Sequence, residues 1–296
     1  MYGSLPYVQE NLARLKTKTI TAVCCDTGAE NYDGISTQIK IYMNPNVCPS
    51  FTDTVYPEIV RMYLQRYSPY HTVVTMPYSM GTDTYFCEPM IGVPTNWINL
   101  NEAGNLHHNS MDTIEKVDPC TLRELSFINA AYLYYIANAG IGDVQWISGL
   151  TFSRGMQIIG EKASKANQAI FKATDGLSIG KALANGIEAI GYYTGLQKQA
   201  LTGIEKLTAG EDRINAREIF APYTKSLDET GASLIKQLQA IAETKAKKES
   251  CKIVKADKVN GDWEKEASTI IPKRFHFGTL FFAEIPFSEW KEIKGS

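Results

Sequence analysis

The chain has 296 residues, of which 44% are hydrophobic and 21% charged, with a formal net charge of −2. That length suffices for a large buried core, and the composition is that of an ordinary globular protein. The near-neutral charge argues against general nucleic-acid binding, which rests on phosphate neutralisation by a basic surface.

The charge is unevenly spread. Residues 1–150 hold 8 Lys/Arg against 14 Asp/Glu, and residues 151–296 hold 22 against 18. Lys236, Lys245, Lys247, Lys248, Lys252, Lys255 and Lys258 form a basic stretch interleaved with acids. It reads as a solvated helix end, where lysines complement the helix dipole. Cys24, Cys25, Cys48, Cys87, Cys120 and Cys251 follow no metal-ligand spacing. The first residues lack a basic start followed by an apolar run. The expectation is cytoplasmic synthesis without a signal peptide, with free thiols packed as small apolar groups.

Proline divides the chain. Nine of the 12 prolines fall between Pro6 and Pro119, and none lies from Cys120 to Ala221. Proline interrupts helical hydrogen bonding, so a long proline-free stretch permits long helices. The expected fold is α+β. Residues 1–120 form a Pro- and Tyr-rich head with a short antiparallel sheet. Residues 121–249 form a helical middle of three or four helices. Residues 250–296 form a β segment returning to the head's sheet.

In chain order, Leu5, Val8, Leu12 and Leu15 at helical spacing predict a first helix, with Ser4 and Pro6 as its start signal. Thr19–Cys25 is rich in β-branched residues and predicts a strand, as does the alternation of Ile35, Thr37, Ile39 and Ile41. Val55–Tyr67 carries a helical stripe, with Pro57 placed in its first turn. Thr72–Met76 and Thr84–Cys87 are strand candidates. Residues 88–119 show little periodicity and read as a long ordered loop, or an arm packing on a neighbour.

Leu125–Gly142 holds no charged residue. Its interior Asn129, Asn138, Tyr132, Tyr134 and Tyr135 do not suit a bilayer span. The segment reads as a helix buried in a core or at a subunit contact. From Ser153 to Glu249 helix formers dominate. Thr174-Asp175-Gly176 and Ala209-Gly210 are the expected breaks, other glycines permit close helix approach, and the last helix starts after Pro222. Leu227, Leu234, Leu238 and Ile241 make a short coiled-coil-like seam. Strands are expected near Lys252–Ala256, Thr269–Ile271 and Arg274–Ile285.

One motif bears on chemistry. Val23-Cys24-Cys25-Asp26-Thr27-Gly28-Ala29 resembles the active-site signature of retropepsin-like aspartic peptidases. In that family two carboxylates share one proton to activate water. The resemblance covers about seven residues and implies Asp26 as the catalytic carboxylate of a homodimer, since no second such tripeptide occurs. Ile158-Ile159-Gly160, the nearest match to a downstream family segment, lies 132 positions past Asp26 in a helical block. A plain turn, with Asp as cap and Gly at positive φ, accounts for the same tripeptide.

His107-His108, with Asp112 and Glu115 nearby, lacks a second half-site for a metal. No phosphate-binding glycine loop or nucleophile elbow is present, and no cofactor is expected. The leading expectation is therefore a non-enzymatic structural protein acting as an oligomer, with itself and other assembly proteins as partners. A virus or phage particle component, such as a capsid, connector or tail subunit, suits the combination of features. The alternatives are a helical pore-forming or membrane-active protein and the aspartic peptidase. The residues expected to meet a partner are Tyr78, Tyr85 and Trp97 on the loops, and the seam Leu227, Leu234, Leu238 and Ile241.

Overall fold

A computed structural model describes residues 4–26, 29, 38–79, 82–100, 110–111, 113–255, 266 and 269–271. Among the described residues there are six α-helices and a small sheet: α1 (Ser4–Lys18), α2 (Thr52–Tyr67), α3 (Pro119–Asn138), α4 (Ile141–Lys172), α5 (Gly176–Thr202) and α6 (Gly210–Lys248). The strands are β1 (Ala22–Cys24), β2 (Gln38–Tyr42), β3 (Thr72–Met76) and β4 (Thr95–Leu100), in the order β1-β4-β2-β3.

The fold is α+β, as expected, but the sheet is mixed. β1 pairs parallel with β4 and β2 parallel with β3, so only the β2–β4 pair is antiparallel. The parallel β2–β3 pair follows from its connection, because α2 carries the chain back across the sheet. Thr84–Cys87 is not a strand. It lies in a short 3-10 helix, Asp83–Cys87, which packs with α1 in a small apolar cluster of Val8, Leu15, Tyr85, Ile91 and Val93.

The stretch read as a long loop contains β4, the most buried strand of the sheet. Asn96 and Asn99 hid it. Asparagine is depleted in strands, yet both asparagines are buried here, Asn96 completely.

Proline placement also departs from expectation. Pro57 is the sixth residue of α2, past its first turn, and Pro222 lies inside α6, which begins twelve residues earlier at Gly210. Pro222 is solvent-exposed, so the carbonyl its missing N–H leaves behind can be hydrated. The predicted breaks at Thr174–Gly176 and Ala209–Gly210 are where α5 and α6 begin. Asp175 caps α5 by accepting from the backbone N–H of Leu177 and Ser178, both at 2.9 Å, and Gly210 takes φ +55°.

α4, α5 and α6 pack as an antiparallel bundle whose core continues into the sheet. Ile159, Ile170, Ile179, Ile190, Leu227 and Leu238 belong to the same buried cluster as Ile39, Ile41 and Ile98. Among the described residues this buried cluster runs across residue 120. A Cβ added at Gly186 would stand 2.6 Å from Leu238 Cδ2 and 2.7 Å from Ala166 Cβ, so the three helices meet there because the side chain is absent. Gly186→Val is expected to destabilise by about 3 kcal/mol through overpacking. Gly160→Ala, with open space around it, should stabilise by up to about 1 kcal/mol. Denaturant midpoints of the two variants check the pair.

Beyond α6, Cys251–Lys255 is not a strand. It lies against the start of α5, where the Val254 N–H donates to the Gly176 carbonyl at 3.0 Å. Thr269 is helical, not extended. The expected strand Arg274–Ile285, and Ala256 of the first one, lie outside the described residues.

Candidate functional site

The residues expected to meet a partner are mostly interior. Tyr85 is 1% exposed and Trp97 is 8% exposed. Trp97 sits on β4, stacks on Tyr42 with ring centroids 4.3 Å apart, and donates from Nε1 to the Asp26 carbonyl at 2.6 Å. Tyr78 is half-buried, and burial pushes its phenol above the ordinary value. Leu227 and Leu238 are fully buried, and Leu234 and Ile241 pack on the same core. The seam therefore joins α6 to its own chain's α4 and α5. Its 7-4-3 spacing reports a helix contact without saying whose helix is on the other side.

Asp26 follows β1 and is exposed. A helix, α1, precedes the motif's strand, and Ile158-Ile159-Gly160 lies within α4. Thr27 and Gly28 of the motif lie outside the described residues, as do His107, His108 and Asp112. Among the described residues no cluster of His, Cys, Asp and Glu could hold a metal. The six cysteines are free thiols, and burial raises the Cys24 thiol and pushes Cys48 up to about 11.

Two arrangements stand out instead. The first is a polar knot beneath the sheet. Asp53, in the first turn of α2, accepts at Oδ1 from the Asn44 backbone N–H (3.0 Å), Asn44 Nδ2 (2.8 Å) and Asn96 Nδ2 (3.0 Å). Asn44 Oδ1 in turn accepts from the Thr95 backbone N–H at 2.6 Å. One carboxylate thus ties the segment after β2, the start of β4 and the start of α2. Desolvation dominates over these bonds and raises the Asp53 carboxyl to about 6. A cavity of about 140 Å³ opens beside it, lined by Asn46, Thr54, Arg154, Tyr193 and Gln197 among others. That volume suits a few waters.

A raised folded-state pKa means that the folded chain binds the extra proton. The Asp53 contribution to stability is fully present below the unfolded value of 3.8 and is lost as pH rises through about 6. Between pH 7.5 and 5 it should add about 1 kcal/mol. Chemical denaturation at the two pH values measures this, and Asp53→Asn should flatten the difference.

The second arrangement is the outer face of α3. Asp118 caps this helix, accepting from the backbone N–H of Cys120 (3.2 Å) and Thr121 (3.0 Å), with Pro119 at its first position. Leu125, Ile128, Tyr132 and Ile136 face the core. Tyr132 binds Thr21 at 2.9 Å, and Asn129 accepts from the Tyr56 hydroxyl at 2.5 Å. The opposite face carries the exposed Arg123 in its second turn and then Ser126, Phe127, Ala130, Leu133, Tyr134, Ala137 and Asn138, all exposed and uncharged. Phe127 is 57% and Tyr134 73% exposed.

The apolar belt continues at both ends. Phe127 contacts Tyr63 at 5.5 Å, and Tyr63 contacts Tyr67 of α2 at 5.1 Å. Beyond the helix, Trp146 at the start of α4 is exposed and meets the Tyr135 ring edge-on at 5.7 Å. The uncharged stretch was visible in the sequence as a buried helix or subunit contact. Half of it is buried, and the other half faces outward.

No family model matches this chain, and the curated proteins and solved structures give no match either. Among the described residues no helix is long and apolar enough to cross a membrane.

Proposed function

We propose that this protein is a non-enzymatic assembly protein that associates with copies of itself through the outer face of α3. The observation that carries the reading is that face: at least two turns of exposed, uncharged, aromatic-rich helix surface. Contiguous exposed apolar surface of this extent marks an interaction site in soluble proteins. Phe127 (57% exposed), Leu133 (39%), Tyr134 (73%) and Trp146 (41%) together expose on the order of 500 Å², more than half of one partner's share of a standard interface.

A second copy suits the face because its middle bears no charge. An isologous contact brings the same patch against itself, and a charged patch would then bury like charges opposite one another. Phe127 and Tyr134 are seven residues apart, two turns on one stripe, which allows two such helices to interlock. The narrower expectation of a virus or phage particle subunit draws no added support from the fold, and the proposal is the general one.

Photo-cross-linking tests it. A photoreactive side chain at Tyr134 should give a covalent dimer of the purified chain. The same group at an exposed position at the opposite end of the bundle, such as Phe171 at the end of α4, should not. Equal yields at both positions, or none at Tyr134, would contradict the reading.

A further inference from the structure

The far end of the bundle carries a second exposed surface of different chemistry. There α4 ends, α5 begins and α6 ends, with Cys251–Lys255 laid across the start of α5. Three apolar side chains stand out from it: Phe171 is 67%, Leu177 46% and Val254 51% exposed. Beside Phe171 a shallow cavity of about 280 Å³ runs along Ala240, Ile241 and Thr244, rimmed by Lys245 and Lys248. Around this crown stand the exposed Lys172, Lys181, Lys247, Lys248, Lys252 and Lys255.

The lysines outnumber the carboxylates among the described residues of this end, which are Asp175, Glu249 and the exposed Glu243. Asp175 caps α5, and Glu249 accepts from Lys245 at 2.6 Å. The lysines at the ends of α4 and α6 complement helix dipoles. That account does not extend to Lys181, Lys252 and Lys255, which lie at no helix C-terminus. Nor does it explain three apolar side chains held in water among them.

We infer that this lysine-ringed apolar tip docks on an anionic phospholipid surface. An apolar crown inside a ring of cations matches both layers of such a surface. The crown enters the boundary with the acyl chains while the lysines stay level with the headgroups, their stems lying along the apolar side chains. The ring supplies attraction of about fivefold in affinity per lysine near an anionic leaflet. The three crown residues come from separate chain segments and protrude, whereas a peptide site is a concave groove with spaced anchors. The absence of a spanning helix among the described residues fits attachment to the surface alone. This inference is independent of the α3 face, which lies on the head side of the fold.

Flotation of the full chain with lipid vesicles tests it. Vesicles of phosphatidylcholine with about 30 mol% phosphatidylserine should carry the protein at about 0.05 M salt and release it at about 0.5 M. Vesicles of phosphatidylcholine alone should bind at least about tenfold more weakly. Reversing Lys247, Lys248 and Lys252 to glutamate should weaken binding on the order of 100-fold or more. Phe171→Ser should cost about tenfold. All four residues are exposed, so unchanged thermal unfolding of the variants will show that the fold is intact. Phe127→Glu should leave flotation unchanged, which separates this surface from self-association.

Three outcomes would overturn the inference. One is no flotation with either vesicle, and another is equal, salt-insensitive binding to both. The third is binding to a poly-glutamate peptide without binding to anionic vesicles, which would assign the tip to an acidic protein.

Discussion

On the proposed self-contact through α3, replacing Phe127 and Tyr134 together by glutamate is expected to give a monomer without unfolding the chain. Both side chains are more than half exposed in the single chain, so the charges stay hydrated there and surface substitutions of this kind change stability little. In an isologous contact each glutamate would be buried against its own copy, leaving four unpaired charges at one interface. The penalty for burying even one uncompensated charge is about 3 kcal/mol or more, so association should weaken by well over 100-fold. Sedimentation velocity at matched concentration reads the change, and circular dichroism checks the fold. A double variant that keeps the wild-type mass would remove α3 from the contact.

Loss of the Asp53 carboxylate is expected to give the largest stability effect of any single polar substitution here. Asp53→Ala would strand the Asn44 backbone and side-chain donors and the Asn96 amide, all of which converge on Oδ1. Leaving buried donors without a partner costs about 1–3 kcal/mol for each lost bond. Relief of the carboxylate's own desolvation offsets part of this, so the net loss should be about 3 kcal/mol at neutral pH. For a chain of this size that lowers Tm by roughly 6–10 °C. Asp53→Asn keeps an acceptor oxygen in place and should cost less than about 1 kcal/mol. Asn44→Ala combined with Asp53→Ala should cost less than the sum, because the two residues serve one network. Additive losses would show that the knot is not a unit.

How far the sequence revealed this molecule depended on which force set each element. Helices ruled by side-chain periodicity and caps were legible. α2 was read to within a few residues, and the starts of α5 and α6 were marked by Asp175 and Gly210. β3 was legible from a β-branched run. β4 was not, because the burial of Asn96 is tied to Asp53, more than forty positions away, and no local pattern announces a long-range polar knot. Pro222 misled because a proline on an exposed helix face leaves only a carbonyl that water can reach.

The candidate surface was half legible. The absence of charge over Leu125–Gly142 pointed to a contact, but periodicity alone could not divide the stripe packed on Tyr56 and Thr21 from the stripe left in solvent. The leucine seam of α6 and the aromatic pair Tyr85 and Trp97 show the converse. Apolar side chains suited to a partner were consumed by the chain's own core.

Mass in solution, by light scattering behind a sizing column at two concentrations and two salt levels, tests the central claim most directly. Self-association through an uncharged apolar face predicts a defined multimer of the 32.9 kDa chain. Its mass should grow or hold with concentration and should not fall at high salt, since screening weakens charge contacts and leaves apolar burial intact. A strict monomer at both concentrations would contradict the claim, and a multimer that high salt dissolves would place the contact on charged residues away from α3.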